Sequence, residues 1–156
     1  MPQILSTYAL SQNVAVALAG DAGIRALCQS LFSRDLAVYL GGIGPAADVA
    51  LPYALVEPAE ESHPKGAASH SVAITVAIDA GAAANTAVAR PLGETGVLVV
   101  GRGDALQALV DGIRNLFDDA VVGSVLRECD VEFDGYPAYP TMSARMLLQY
   151  GDITAF

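Results

Sequence analysis

SVAITVAID, residues Ser71–Asp79, carries the most regular apolar periodicity in the chain. Val72, Ile74, Val76 and Ile78 alternate with Ala73, Thr75 and Ala77, the period of two that lays one face of a β-strand on a core. Downstream the period changes. Asp104 stands as the N-cap of a helix whose Leu106, Leu109, Val110, Ile113, Leu116 and Phe117 fall on a single stripe. A half-apolar strand and a half-apolar helix must each be covered, and packing helices against one face of a sheet covers both.

Working outward, Ile24, Leu27, Cys28, Leu31 and Phe32 again take helical spacing, with Asp21 as cap, so a helix is expected over residues 22–32. The segment from Ile4 to Leu18 fits a helix loosely and is also compatible with partly extended chain. Leu36–Leu40 and Tyr53–Glu57 read as short strands on either side of a Gly-Pro turn. Residues 58–69, rich in Pro, Glu, Ser, His and Gly, read as an exposed loop or a long hairpin tip. Residues 81–95 are Ala- and Gly-rich and ambiguous, and Val97–Val100 reads as a short buried strand. Two final strands end and begin around Asp134-Gly135, a hairpin dipeptide, with Pro137 and Pro140 marking the turn and its exit. On the first, Cys129, Val131 and Phe133 face one way and the acids between them the other. On the second, Thr141–Tyr150, Met142, Ala144, Met146, Leu148 and Tyr150 form the buried face. The expected class is α+β, with helices packed on one face of a mostly antiparallel sheet, in a single domain over residues 1–156.

Composition narrows the function. The 156 residues are 53% hydrophobic and 16% charged, with a mean hydropathy of +0.44. This is too apolar for disorder and points to subunit contacts. Seventeen acidic against eight basic residues leave a charge of −9, which disfavours a partner gripped through its phosphates. Ala17-Leu18-Ala19 has the look of a signal-cleavage site, but no basic residue precedes it and Ser11, Gln12 and Asn13 break the apolar run, so an unprocessed chain is expected. No run of 18 uncharged apolar residues suggests a membrane span. Cys28 and Cys129 lie far apart, outside any CxxC pair, and fall on apolar faces, so they read as core residues.

Candidate chemical motifs are few. Gly42-Ile43-Gly44-Pro45-Ala46-Ala47 matches a dinucleotide fingerprint in letters, but Pro52 follows within two turns and no βαβ unit surrounds it. Gly101-Arg102-Gly103 joins a strand to a helix as an anion-binding turn would, yet the Asp104 carboxylate occupies the positive end of that helix. His63 and His70 flank the polar loop, where solvated histidines are the ordinary case. No G-x-S-x-G, H-E-x-x-H or Walker pattern occurs, and no cofactor is expected. The least usual feature is the run Glu128, Asp130, Glu132 and Asp134, four carboxylates at spacing two on one strand face. It reads as a solvated sheet face, or as a surface selected to be negative, such as the wall of a channel that nucleic acid crosses without sticking. A calcium site is a weaker third reading, because ligands along a strand do not wrap an ion.

The order of elements, with LPYALVE (51–57), HSVAITVAID (70–79), DALQALVDGIRNLF (104–117) and ARMLLQY (144–150), resembles the tail terminator or tail-completion proteins of tailed bacteriophages. The resemblance spans nearly the whole chain. Pro52, Tyr53 and Leu55 through Ser62 match the family's strand and the variable polar loop after it, while residues 81–95 depart from its more direct strand-to-helix connection. It implies a non-enzymatic subunit of a hexameric ring that caps the tail tube and meets the head connector or a neck protein, with DNA passing through the lumen unbound. The implied location is the virion tail or neck, after assembly in the bacterial cytoplasm, with no membrane involved. In that setting Glu57, Glu60, Glu61, His63, Lys65 and His70 would form a contact loop toward a neighbouring ring or subunit. Glu128, Asp130, Glu132 and Asp134 would line the lumen. The alternatives are a neck or head-completion connector, and a small nucleotide-binding enzyme built on the Gly42 or Gly101 turn.

Overall fold

The computed structural model describes residues 6–40, 51–63, 68–79, 87–92, 96–101, 103–119, 122, 126–134 and 141–151, with backbone alone for 87–92 and 96–101. Three helices and seven strands follow in the order α1 (Thr7–Gly20), α2 (Ala22–Phe32), β1 (Ala37–Leu40), β2 (Tyr53–Ser62), β3 (Ser69–Asp79), β4 (Ala87–Leu92), β5 (Gly96–Gly101), α3 (Gly103–Asp118), β6 (Leu126–Phe133) and β7 (Thr141–Tyr150). Five strands form one sheet in the order β1-β2-β3-β7-β6. Only β1–β2 is parallel in it; β2–β3, β3–β7 and β6–β7 are antiparallel.

The alternation in β3 does what its period requires. Val72, Ile74, Val76 and Ile78 are fully buried, and their partners on β7 are Leu148, Met146, Ala144 and Met142. Leu148, Met146 and Ala144 are buried as well, so the two central strands present one continuous apolar face. Helix α1 packs on the β1–β2–β3 side, α3 packs on β7, β3 and β6, and α2 packs on α3. The core therefore lies between the helices and a single face of the sheet, as the α+β expectation requires. Each large aliphatic side chain buried there contributes about 1.5–3 kcal/mol of transfer free energy.

Local signals set the helix ends. The Ser6 hydroxyl accepts from the Ala9 amide at 3.1 Å and starts α1, which is helical throughout rather than partly extended. Asp21 closes α1 and starts α2, its Oδ2 accepting from the Ile24 amide at 2.8 Å. The chain bends by 58° there. Ser33 ends α2 in the left-handed region, at φ 57°, with its amide bonded to the Gln29 carbonyl. Where α2 crosses α3, a Cβ on Gly112 would come within 3.1 Å of Leu27 Cδ2 and 3.3 Å of Ile24 Cδ1, so glycine allows the close approach.

Three local expectations need correction. β2 does not stop at Glu57. It bulges between Pro58 and Glu60, where proline has no amide to give the ladder, and continues to Ser62 against β3. Of the two readings of the polar segment, the long hairpin tip is the one that holds, with Glu60, Glu61 and Ser62 paired to Ser71, His70 and Ser69. Asp104 lies inside the first turn of α3, which begins at Gly103, so it complements the helix dipole rather than capping the helix. Phe133 shares the register of the inward face but sits at the end of an edge strand and remains 47% exposed. The strand expected at Val97–Val100 forms as residues 96–101 and pairs with 87–92 as a separate antiparallel ribbon.

Candidate functional site

Two clusters of polar side chains stand out, one along the edge strand β6 and one where α1 meets the β2–β3 hairpin. The first is the acidic run. β6 is an edge strand, and a bulge between Leu126 and Glu128 sets its register so that Glu128, Asp130 and Glu132 oppose Gln149, Leu147 and Arg145 of β7. Cys129 and Val131 pack toward the core, while Glu128, Asp130, Glu132 and Asp134 are exposed on the face away from the helices. Gln149 Nε2 donates to Asp130 Oδ2 at 3.4 Å, and Ser143 Oγ donates to Asp134 Oδ2 at 2.8 Å. Alternate residues of a strand lie about 7 Å apart, so neighbouring carboxylates repel by roughly 0.6 kcal/mol in unscreened water. A row of like charge on an edge strand also discourages sheet-to-sheet pairing along that edge.

The second cluster joins the start of α1 to the end of the β2–β3 hairpin. Glu61 Oε1 accepts from the Thr7 amide at 2.9 Å and from the Thr7 hydroxyl at 2.8 Å. Thr7 Oγ1 also lies 2.5 Å from His70 Nδ1. Glu61 is paired with His70 across the β2–β3 ladder, and the carboxylate reaches His70 Nδ1 at 3.3 Å and His63 Nε2 at 3.1 Å. The two imidazoles meet edge to face with centroids 5.7 Å apart.

The hydrogen inventory assigns the His70 tautomer. Thr7 spends its one hydroxyl proton on Glu61, so its oxygen accepts from His70, and a proton on Nδ1 also suits the carboxylate beyond. Nε2 is then a bare lone pair, buried and without a partner in the described structure. Burial pushes the His70 imidazole below its ordinary value, helped by His63 and opposed by Glu61. The Thr7 amide, then the Thr7 hydroxyl and then His63 hold the Glu61 carboxyl down to about 2. Glu61 does for α1 what an acid in the first turn would do, and α1 has no such acid. This cluster is a clamp between secondary-structure elements, joining the start of α1 to the end of the β2–β3 hairpin.

Of the residues expected in a polar contact loop, Glu57, Glu60 and Glu61 are exposed strand residues, His63 lies just past β2, and Lys65 falls outside the described residues. His70 is the correction. It is 1% exposed, a core-facing residue of β3 rather than a solvated loop histidine. The period of β3 itself could have revealed this, because His70 continues the even-numbered buried row Val72, Ile74, Val76 and Ile78. Thr7 carried no signal at all; its partner lies 54 residues away in the chain.

Gly42–Ala47 lie outside the described residues, as do Arg102 and the turn at residues 135–140. Among the described residues no group of three His, Cys, Asp or Glu side chains could hold a metal ion. Cys28 is buried with its thiol pushed up to about 11, mainly by burial and then by Asp35, and is unreactive at neutral pH.

No family model matches the sequence, and no curated protein does. Among solved structures the fold is similar to that of a chain in the virion of the native gene transfer agent (GTA) particle. The TM-score is 0.50 at 15% identity, with 92% of this chain and 93% of that chain covered.

Proposed function

We propose that this chain is a single-domain structural subunit of a phage-like virion, and that it acts as a ring that completes the tail tube and joins it to the head. The observation that carries the reading is the fold shared with a gene transfer agent virion chain over 92% of the length. A subunit of this kind performs no turnover, and the Thr7–Glu61–His70 cluster serves to fasten helix to sheet. Six copies would multiply the −9 charge of each chain. With Glu128, Asp130, Glu132 and Asp134 on the inner wall, such a ring would repel DNA phosphates and let the duplex slide. The exposed end of the β2–β3 hairpin, with Glu57, Glu60 and His63, would then be the contact toward the neighbouring ring.

Negative-stain imaging of the purified chain, alone and mixed with isolated tail tubes, tests the reading. Sixfold rings at one end of the tube are expected. Rings seated on head connectors instead would move the assignment to a neck protein. Failure to form rings in either setting would overturn both. For the lumen, replacing the four acids of β6 by Lys should leave rings intact and make them retain DNA at low salt; rings that still release DNA would remove the acidic strand from the inner wall.

A further inference from the structure

Between β3, which ends at Asp79, and α3, which begins at Gly103, the chain inserts 23 residues. A strand-to-helix connection in a compact fold usually takes about 2–6. Within the insertion β4 and β5 pair from Ala87↔Gly101 to Leu92↔Gly96, a ribbon six residues long that spans about 20 Å. Among the described residues no ladder joins it to the main sheet, and no helix or main-sheet strand packs along it. A two-stranded ribbon by itself is at best marginally stable in water. Its sequence also asks for cover. β5, GVLVVG, places Val97 and Val99 on one face and Leu98 and Val100 on the other. The register sets Pro91 and Ala89 beside the first pair and Arg90 and Val88 beside the second. An uninterrupted apolar run of this length is the pattern of a strand buried on both faces.

Charge and strand length say what covers it. The inserted segment holds Arg90 and Arg102 against Glu94, a balance of +1, so the rest of the chain carries −10. A second copy therefore offers this segment an acidic body. Among the described residues the main sheet ends at two strand edges. β1 has four residues and no charge, whereas β6 has eight, with Glu128, Asp130 and Glu132 against Arg127. Of these edges only β6 is long enough to pair with six residues, and it is the acidic one. Within the ribbon, β4 holds Pro91, which has no amide for a ladder and suits an outer edge, while every residue of β5 has one. We infer that β5 of one copy adds to the β6 edge of the next, so that the ribbon extends that copy's sheet. Backbone hydrogen bonds and apolar area hold the contact, and Arg90 suits it to the acids of β6. The like charges that keep one β6 from pairing with another do not bar a strand that bears none. The inference rests on the ring reading for the number of copies, since a ribbon of one copy on the edge of the next is a heterologous contact, the kind that closes into rings. It leaves the β6 acids on the face away from the helices, as that reading requires.

The test uses the full chain with Leu98 replaced by the photocrosslinking residue p-benzoylphenylalanine, mixed with isotope-labelled wild type and illuminated in concentrated solution and on isolated tail tubes. Circular dichroism checks that the variant folds, and mass spectrometry reads which peptide is captured and from which copy. Capture of residues 126–133 of the labelled copy is the expected result. Capture within the same chain would overturn the inference, because the chain would then cover its own ribbon. Capture of a tube or connector protein alone would assign the ribbon to that partner and overturn it as well. Rings that form without capture at β6 would overturn the contact and leave the ring reading standing, whereas a chain that neither associates nor forms rings on tubes would overturn both. Sedimentation velocity of Arg90→Glu and Arg34→Glu separates local from overall charge, since each takes the chain from −9 to −11. Arg90→Glu should lower the association constant at least about tenfold more than Arg34→Glu; equal losses would overturn the placement of the ribbon beside the β6 acids.

Discussion

Thr7 is the residue that ties the two halves of the molecule together, because one hydroxyl both donates to Glu61 and accepts from His70. Thr7→Val keeps the shape and removes both bonds. It should cost about 1–3 kcal/mol in urea unfolding, the ordinary penalty for stranding buried polar partners. The same cluster sets a pH dependence. Burial holds His70 below its ordinary value of 6.5, so its contribution to stability is complete above that value and is lost as pH falls below it. Glu61, held at about 2 against an ordinary 4.5, contributes above 4.5 and loses that contribution as pH falls toward 2. Both signs agree. The melting temperature should fall from about pH 7.5 to about pH 5, and His70→Gln should flatten the slope in that window. An unchanged slope in His70→Gln would mean that another group titrates there.

At the scale of elements, most of what forms was written in local periodicity. β3, α2, α3 and β7 each carry one apolar face at the right spacing, and each buries it. β2 was legible only to Glu57, because Pro58 and the acids after it satisfy no local strand rule. Its extension to Ser62 comes from β3, whose edge it completes. The ribbon of 87–92 and 96–101 had no period to read in its Ala- and Gly-rich first half. Helix packing makes its own prediction. Gly112 sits against Leu27 and Ile24 at the α2–α3 crossing, so Gly112→Leu should push the helices apart and cost roughly 1–3 kcal/mol. Thermal melts of the variant check this, and a stability equal to the wild type would mean that α2 shifts freely.

At the scale of the whole molecule, the described residues carry exposed acids on two strands, β2 with Glu57, Glu60 and Glu61 and β6 with Glu128, Asp130 and Glu132. The acids of β6 occupy one edge of the sheet, and the uncharged α1 lies on the opposite, β1–β2 side. Copies that each carry a charge of −9 repel one another, so their association should strengthen as salt rises, since about 0.15 M salt shortens the screening length to about 8 Å. Light scattering at increasing sodium chloride should show a larger associated fraction. A contact held by ion pairs would weaken under the same titration.

Sequence by itself determined the class of the molecule, because the periods of 2 and 3.6 dictate which faces are apolar and an apolar face has few ways of being buried. It also determined the acidic strand, since alternation alone puts Glu128, Asp130 and Glu132 on one side. The tertiary structure decided the rest: that β1 runs parallel to β2, that β6 is an edge, and that Thr7, Glu61 and His70 meet. The Thr7 contacts join groups 54 and 63 residues apart, and the strand order depends on which segments meet across the intervening chain; local spacing encodes neither.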